Sequence, residues 1–176
     1  GGDIPTLIVR RARPGETMTT LDGLDRTFSE DTLLICDTAG PIAVAGVMGG
    51  LETGIDEGTR NILLESANFD FISIRRTTQA LKLPSEASLR FGKGIHPALA
   101  EPAARRASEL MRVLAQGTLA QGMVDAYPRP AAPVVIHLTA SEVERNLGLR
   151  FSLAEIAGFL EPLEFRCEPV AGDTLK

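Results

Sequence analysis

The chain has 176 residues and a globular composition, 44% hydrophobic and 23% charged, with a formal net charge of −5. That length suits one domain and part of a second, and no apolar run is long enough to span a bilayer. The negative charge and the 5% aromatic content argue against a protein that binds nucleic acid over its whole surface. Contact with RNA would need a local basic patch such as Arg10–Arg13, Arg75–Arg76 or Arg105–Arg106, and such clusters are more often only solvated.

The two cysteines, Cys36 and Cys167, lie far apart along the chain. Their spacing does not suit a zinc site, and it leaves a single disulfide open. A reduced, cytoplasmic protein is the favoured interpretation. The opening residues Gly1–Asp3 lack the basic and apolar regions of a signal peptide, and no membrane partner is expected.

The first 65 residues predict a sheet. Short apolar runs at 7–9, 33–36 and 42–47 read as strands, and Asp22-Gly23 between two further short strands is a strong hairpin signal. The segment 61–65 is apolar on both faces, which predicts a central strand.

Helices are predicted next. Asp70 can cap a helix over 71–81, and 85–91 reads as a short turn or helix. A longer helix begins at Pro97 or at Pro102 and ends near residue 116, with an apolar stripe formed by Leu110, Val113 and Leu114.

The most distinct boundary is the proline-rich stretch 123–133, which predicts a stiff linker. It follows a domain at 1–122. After it, 134–136 and 164–167 read as strands, and capping boxes begin two helices, at Thr139 with Glu142 and at Ser152 with Glu155. Residues 134–176 therefore predict the start of a small α/β module, C-terminally truncated and barely large enough for a core of its own. The fold class is α+β: a sheet-rich domain with helices packed on one side, followed by a partial helical module.

One stretch of the chain suggests a pocket. The glycine-rich run 43–50 lets the backbone turn tightly or approach a ligand closely, and Glu65 follows within the apolar segment 63–69. A carboxylate buried there must find a partner or cost several kcal/mol. The alternatives are an ion pair between Glu65 and an arginine such as Arg75, and a β-bulge or turn without a ligand at the glycines.

Four blocks in order and in register carry a family resemblance. They are Thr20-Leu21-Asp22-Gly23, Ala45-Gly46-Val47-Met48-Gly49-Gly50, Leu64-Glu65-Ser66-Ala67 with Phe69, and Glu86-Ala87-Ser88 with Arg90-Phe91. The chain from about residue 7 to 122 resembles the editing region of the β subunits of bacterial phenylalanyl-tRNA synthetases. The tail from 134 onward is similar to the start of the next, winged-helix-like module of those subunits.

The resemblance implies hydrolysis of tyrosine wrongly esterified to the tRNA specific for phenylalanine. An apolar pocket rejects an added hydroxyl by only about a hundredfold, so a second site that selects the hydroxyl is needed. By position in the motifs, Glu65 would accept the hydrogen bond of the tyrosyl hydroxyl. Ala45, Gly46 and Gly49 would form the close wall of the pocket, and Ala87 would lie opposite, each small enough to leave room for the ring.

The resemblance assigns no catalytic side chain and no metal ligand to this region. Ser66 and Ser88 have no histidine at a recognisable motif spacing, His96 is better suited to begin a helix than to act as a base, and His137 lies beyond the linker. The site would therefore bind the ester and position water. The region itself would need no cofactor. The whole enzyme would use ATP and magnesium, with the α subunit and the tRNA as partners.

Two departures from the family pattern matter. A block that normally precedes this region, Pro-Leu-His-Ala-Phe, is not in the chain, which predicts an incomplete pocket at the N-terminal side and weak or no activity for the chain alone. Second, 92–97 reads Gly-Lys-Gly-Ile-His-Pro where the family usually has Glu-Arg-Gly-Val-Asp-Pro.

The alternative function is a structural, tRNA-docking module without hydrolysis. A nucleotide-binding protein is disfavoured because the glycine run lacks the P-loop lysine.

Overall fold

The computed structural model describes residues 6–130 and 132–176 and contains both sheets and helices, which confirms the α+β class. The chain divides between Gln121 and Gly122 into two compact units. Within the described residues, no helix has the length and apolar character needed to cross a membrane. Both cysteine thiols are free.

The described part of the first unit begins with strands and continues with helices. In chain order they are β1 (Ile8–Arg11), β2 (Thr17–Thr19), β3 (Asp25–Thr27), β4 (Leu33–Cys36), β5 (Pro41–Val44), β6 (Met48–Gly49), α1 (Phe71–Leu81), α2 (Glu86–Phe91), a 3₁₀ helix (Pro97–Leu99) and α3 (Ala100–Leu114).

The sheet of this unit is antiparallel, with strand order β1-β4-β5-β6. Strands β2 and β3 pair as a separate hairpin, which confirms the prediction from Asp22-Gly23. Gly23 adopts φ +78° in the hairpin turn, a conformation that glycine enters without steric cost.

The two faces of the sheet carry different rows of side chains because successive strand residues point to opposite sides. Leu34, Val44 and Met48 form one cross-strand row, and this row packs with Ile74 of α1 in the hydrophobic core. The alternate row, Ile35, Ala43 and Gly49, runs across the same three strands on the opposite face. The second row contains the small residues and leaves space on its side.

Helix α1 begins where predicted, since the Asp70 carboxylate accepts a hydrogen bond from the Ser73 amide at 2.8 Å. At its other end the Arg26 guanidinium donates to the Leu81 carbonyl oxygen at 2.8 Å. The same guanidinium donates to Asp22 at 2.6 Å. The Asp22 residue of the Thr-Leu-Asp-Gly block therefore helps Arg26 tie the hairpin to the end of α1.

The predicted central strand at 61–65 is wrong. Residues 61–69 form no strand, and Ile62 and Leu63 are exposed. The segment is instead attached through side chains, with Ser66 and Asn68 donating to backbone carbonyls 27 or more positions away. Apolar residues on both faces therefore did not mean burial inside the sheet.

The long helix predicted from Pro97 or Pro102 is present, and its start agrees with the first alternative. The 3₁₀ helix begins at Pro97 and continues into α3, so that Pro102 occupies the first turn of the α-helix. The residues of its apolar stripe, Leu110, Val113 and Leu114, are all exposed in this structure.

The second unit contains β7 (Leu138–Thr139), α4 (Ala140–Leu147), α5 (Leu153–Leu160), a 3₁₀ helix (Glu161–Leu163), β8 (Pro169–Val170) and β9 (Thr174–Leu175), with sheet order β7-β9-β8. Both capping boxes are confirmed, and Gly148 ends α4 in the left-handed conformation. The strands predicted at 134–136 and 164–167 are wrong. These apolar segments pair with no strand among the described residues. The short strands β7 and β8 begin a few residues further along the chain.

An ion pair at the start of the sheet makes stability depend on pH. The Glu16 carboxylate accepts two hydrogen bonds from Arg10, at 2.6 and 2.8 Å, and one from the Arg13 amide. These bonds, led by those of Arg10, lower the pKa of Glu16 to about 2. Because the folded pKa lies below the unfolded one, the contribution is present above about pH 4.5 and is lost as pH falls toward 2.

We therefore expect Glu16→Gln to lower the free energy of unfolding by about 1–2 kcal/mol near pH 6 and by progressively less below pH 4. Urea unfolding at several pH values measures the difference. Asp31→Asn is the control, since the Arg11–Asp31 pair is largely exposed and should contribute little. A pH-independent difference for Glu16→Gln would contradict the assignment.

Candidate functional site

A cavity of about 460 Å³ lies in the first unit, between the sheet, the segment 65–69 and the residues that lead into α3. Its floor is the open row of the sheet, Ile35, Ala43 and Gly49. Ala43 carries only a methyl group and Gly49 carries no side chain, and the two are paired across adjacent strands. The cavity exists because this part of the sheet surface has little side chain on it.

The side wall is aromatic and apolar. Phe69 and Phe91 contact each other edge to face, with ring centroids 5.1 Å apart, and both line the cavity. Leu99 and Ala103 line it from the 3₁₀ helix and α3. Such a wall suits an aromatic or aliphatic group of a ligand.

Glu65 is the carboxylate of this cavity. The residue is exposed, and it also lines a second cavity of about 460 Å³. The surrounding protein atoms nevertheless desolvate the carboxylate and raise its pKa above the ordinary value. No hydrogen bond or ion pair joins Glu65 to any other residue in the described parts of the chain. The carboxylate is therefore available to a hydrogen-bond donor on a ligand.

The alternative that Glu65 pairs with Arg75 is wrong. The Arg75 Nε donates to the Gly92 carbonyl oxygen at 2.6 Å, and its guanidinium lies 5.1 Å from the centre of the Phe71 ring. These contacts hold Arg75 on the side of α1 that faces α2.

Two short hydrogen bonds join the walls of the cavity. The Ser66 hydroxyl donates to the Ala100 carbonyl oxygen at 2.7 Å, and the Asn68 amide donates to the Ile95 carbonyl oxygen at 2.6 Å. They hold the segment that carries Glu65 against the segment 95–100. The relative position of the two walls is thus set by side chains on one and backbone on the other.

The residues predicted from the motifs line the cavity with one exception. Glu65, Gly46, Gly49 and Ala87 all line the cavity, the last from α2. Ala45 is 1% exposed, lies in the turn after β5 and is not part of this lining. The small residue of the floor is Ala43, two positions earlier.

Gly46 has a packing reason for its identity. Its φ is +65°, and a Cβ at this position would lie 2.7 Å from Ile74 Cδ1 and 2.8 Å from Phe69 Cδ2. A side chain there would therefore collide with the core and with the aromatic wall rather than extend into the open cavity.

Sequence reasoning missed that Ile35, Ala43 and His96 line the cavity. The imidazole of His96 accepts a hydrogen bond from the Ala98 amide, which confirms the predicted role at the start of a helix, and the residue also lines the cavity. The alternation of side chains along β4 and β5 could have identified Ile35 and Ala43 once the register with Gly49 was known.

Residues 3–116 match the B3/4 domain, which is about two thirds of the chain. The chain belongs to the B3/4 domain family. The match includes every residue that lines the cavity described above. It ends before the second unit begins.

The curated relatives are similar over most of the chain. The chain is 48% identical to the phenylalanine–tRNA ligase beta subunit of Symbiobacterium thermophilum over 157 residues, which is 89% of the chain and 18% of that protein. The values for the subunit of Moorella thermoacetica are 48%, 89% and 20%. For Clostridium acetobutylicum, 38% identity extends over 170 residues, which is 97% of the chain and 21% of the relative. The chain thus spans about a fifth of the length of the curated relatives it matches.

In the parts of the chain that the structure describes, no three His, Cys, Asp or Glu side chains are grouped closely enough to hold a metal ion.

Proposed function

We propose that the B3/4 domain of this chain binds tyrosine esterified to the tRNA specific for phenylalanine and promotes hydrolysis of the ester. The observation that carries the proposal is the Glu65 carboxylate, unpaired and partly desolvated in a cavity with an aromatic wall. A carboxylate in that environment favours a phenol donor and disfavours a phenyl ring.

The cavity supports this substrate by its size and its polarity. A tyrosyl ring fits beside Phe69 and Phe91, and the small residues Ala43, Gly49 and Ala87 leave the space open. Phenylalanine would fill the same apolar space and leave Glu65 without its donor. Selection then depends on one hydrogen bond, which is the difference between the two amino acids.

The reaction needs no nucleophile from the protein. Water adds to the ester carbonyl carbon, the bond to the ribose oxygen breaks, and the ribose oxygen receives a proton that originates from the water. The contribution of the domain is to hold the ester in one orientation with a water molecule beside it.

The proposal extends to the larger protein through the relatives named above. In that setting the partners would be the tRNA and an α subunit, and ATP and magnesium would serve an aminoacylation step elsewhere in the enzyme. The second unit would be the beginning of a winged-helix-like module, for which the capped helices α4 and α5 are the available support.

The test compares tyrosine and phenylalanine, each esterified to the tRNA, and measures the rate of release by the chain. Binding is measured in parallel with adenosine that carries either amino acid through a stable 3′ amide. The proposal expects faster release and tighter binding for tyrosine. Binding of tRNA with no preference for tyrosine in either assay would reject it in favour of a docking module.

Filling the cavity should abolish this preference. Ala87→Leu adds three carbons inside the cavity while keeping a good helix former in α2. We expect tyrosyl-amide binding to weaken at least tenfold with little change in the urea midpoint. The control is Ala80→Leu, an exposed position of α1 away from the cavity, which should bind as the unmodified chain does.

A further inference from the structure

His96 is exposed and lines the same cavity as Glu65, from the segment 95–100. It lies between Ile95 and Ala100, the two residues whose carbonyls accept hydrogen bonds from Asn68 and Ser66. Hydrogen bonds from the segment that carries Glu65 therefore hold the chain on both sides of His96. This arrangement holds the backbone around His96 against the segment that carries Glu65.

The ring of His96 has one nitrogen committed to the backbone. Nδ1 accepts a hydrogen bond from the Ala98 amide at 3.2 Å and begins the 3₁₀ helix. In the neutral ring Nδ1 is then the unprotonated nitrogen, and Nε2 carries the hydrogen. Nε2 makes no hydrogen bond with any other described residue. The cavity is thus lined by an acceptor and a donor that have no partner among the described residues, the Glu65 carboxylate and the His96 Nε2–H.

We propose that His96 Nε2–H donates a hydrogen bond to the carbonyl oxygen of the bound aminoacyl ester. This inference rests on the proposed function and adds a second contact, at the end of the substrate away from the tyrosyl hydroxyl. During hydrolysis that oxygen gains negative charge as water adds to the carbonyl carbon, and a preorganised donor lowers the energy of this state. In this step His96 acts only as a hydrogen-bond donor and keeps its proton.

Residue type at position 96 separates the two tasks of the imidazole. Asn places its amide oxygen near the position of Nδ1 and is a good helix cap, but it does not reach the position of Nε2. Gln places its amide nitrogen near the position of Nε2 and loses the cap. His96→Asn should keep stability and lose substrate contact, whereas His96→Gln should do the reverse.

The experiment measures both variants against the unmodified chain. The ligand is adenosine carrying tyrosine through a 3′ amide, and stability is followed by urea unfolding. We expect His96→Asn to weaken binding about three- to tenfold and to lower kcat for ester hydrolysis with little change in the urea midpoint. His96→Gln should retain most of the affinity with a lower midpoint. The reverse order would reduce His96 to a structural cap and overturn the inference.

Nitrogen NMR of the imidazoles gives a readout that does not depend on catalysis. The chain has only two histidines, His96 and His137, so each signal can be assigned with one variant. Adding the tyrosyl amide should shift the Nε2 signal of His96 and leave His137 unchanged. Glu65-dependent binding without that shift would overturn the role of His96 alone. Absence of tyrosine-selective binding and hydrolysis would overturn the proposed function and this inference together.

Discussion

Glu65→Ala is expected to lower the preference for tyrosine over phenylalanine by about 10- to 100-fold, the range for a hydrogen bond to a charged group. Two changes contribute to this loss, and both lower the preference for tyrosine. Release of tyrosine slows because the phenol loses its acceptor, and release of phenylalanine rises because no carboxylate is left without a donor. Hydrolysis of both esters, measured with the same preparations, tests the two changes separately.

Stability and pH give the controls for this substitution. Desolvation raises the pKa of Glu65, so the carboxylate is unfavourable in the folded state at neutral pH, and Glu65→Ala should not lower the urea midpoint there. The tyrosine preference of the unmodified chain should decline as the pH falls through this raised pKa, since only the ionised form is a strong acceptor. Glu65→Gln, which keeps shape and an acceptor oxygen without charge, should be intermediate. An unchanged preference in Glu65→Ala would refute the assigned role.

Gly46→Ala is expected to destabilise the domain by about 2–5 kcal/mol. A left-handed backbone costs an alanine about 1–2 kcal/mol, and overpacking in a core costs about 1–3 kcal/mol more. The overpacking arises because the new Cβ would lie 2.7 Å from Ile74 Cδ1 and 2.8 Å from Phe69 Cδ2. Ile74 is 2% exposed and has little room to move. Urea unfolding measures the loss.

Gly23→Ala isolates the backbone part of that effect. Gly23 has a similar φ of +78°, but nothing lies within 4 Å of a Cβ built there. It should therefore cost only about 1–2 kcal/mol. Gly46→Ala should also weaken binding of the tyrosyl amide, because Phe69 is part of the cavity wall. Equal losses of stability in the two variants would mean that the core accommodates the Cβ, contrary to the packing argument.

Local chemistry was readable from the sequence wherever neighbouring residues decide the structure. Asp70 before α1, Thr139 with Glu142 before α4, and the hairpin at Asp22-Gly23 follow from hydrogen bonds and turns that span only a few residues. The strand at 61–65 did not follow, because its apolar pattern says nothing about whether a neighbouring strand is present. In the folded chain that segment is held by Ser66 and Asn68 instead.

The sequence by itself determined the mixed α+β character, the caps and turns, and the motifs that contain Glu65, Gly46, Gly49 and Ala87. Only the tertiary structure decided that Ala43 rather than Ala45 belongs to the floor of the cavity, because this depends on the register that pairs Ala43 with Gly49. It also decided that Glu65 has no ion-pair partner and that His96 shares its cavity. These are relations between separate segments of the chain, and chain packing sets them.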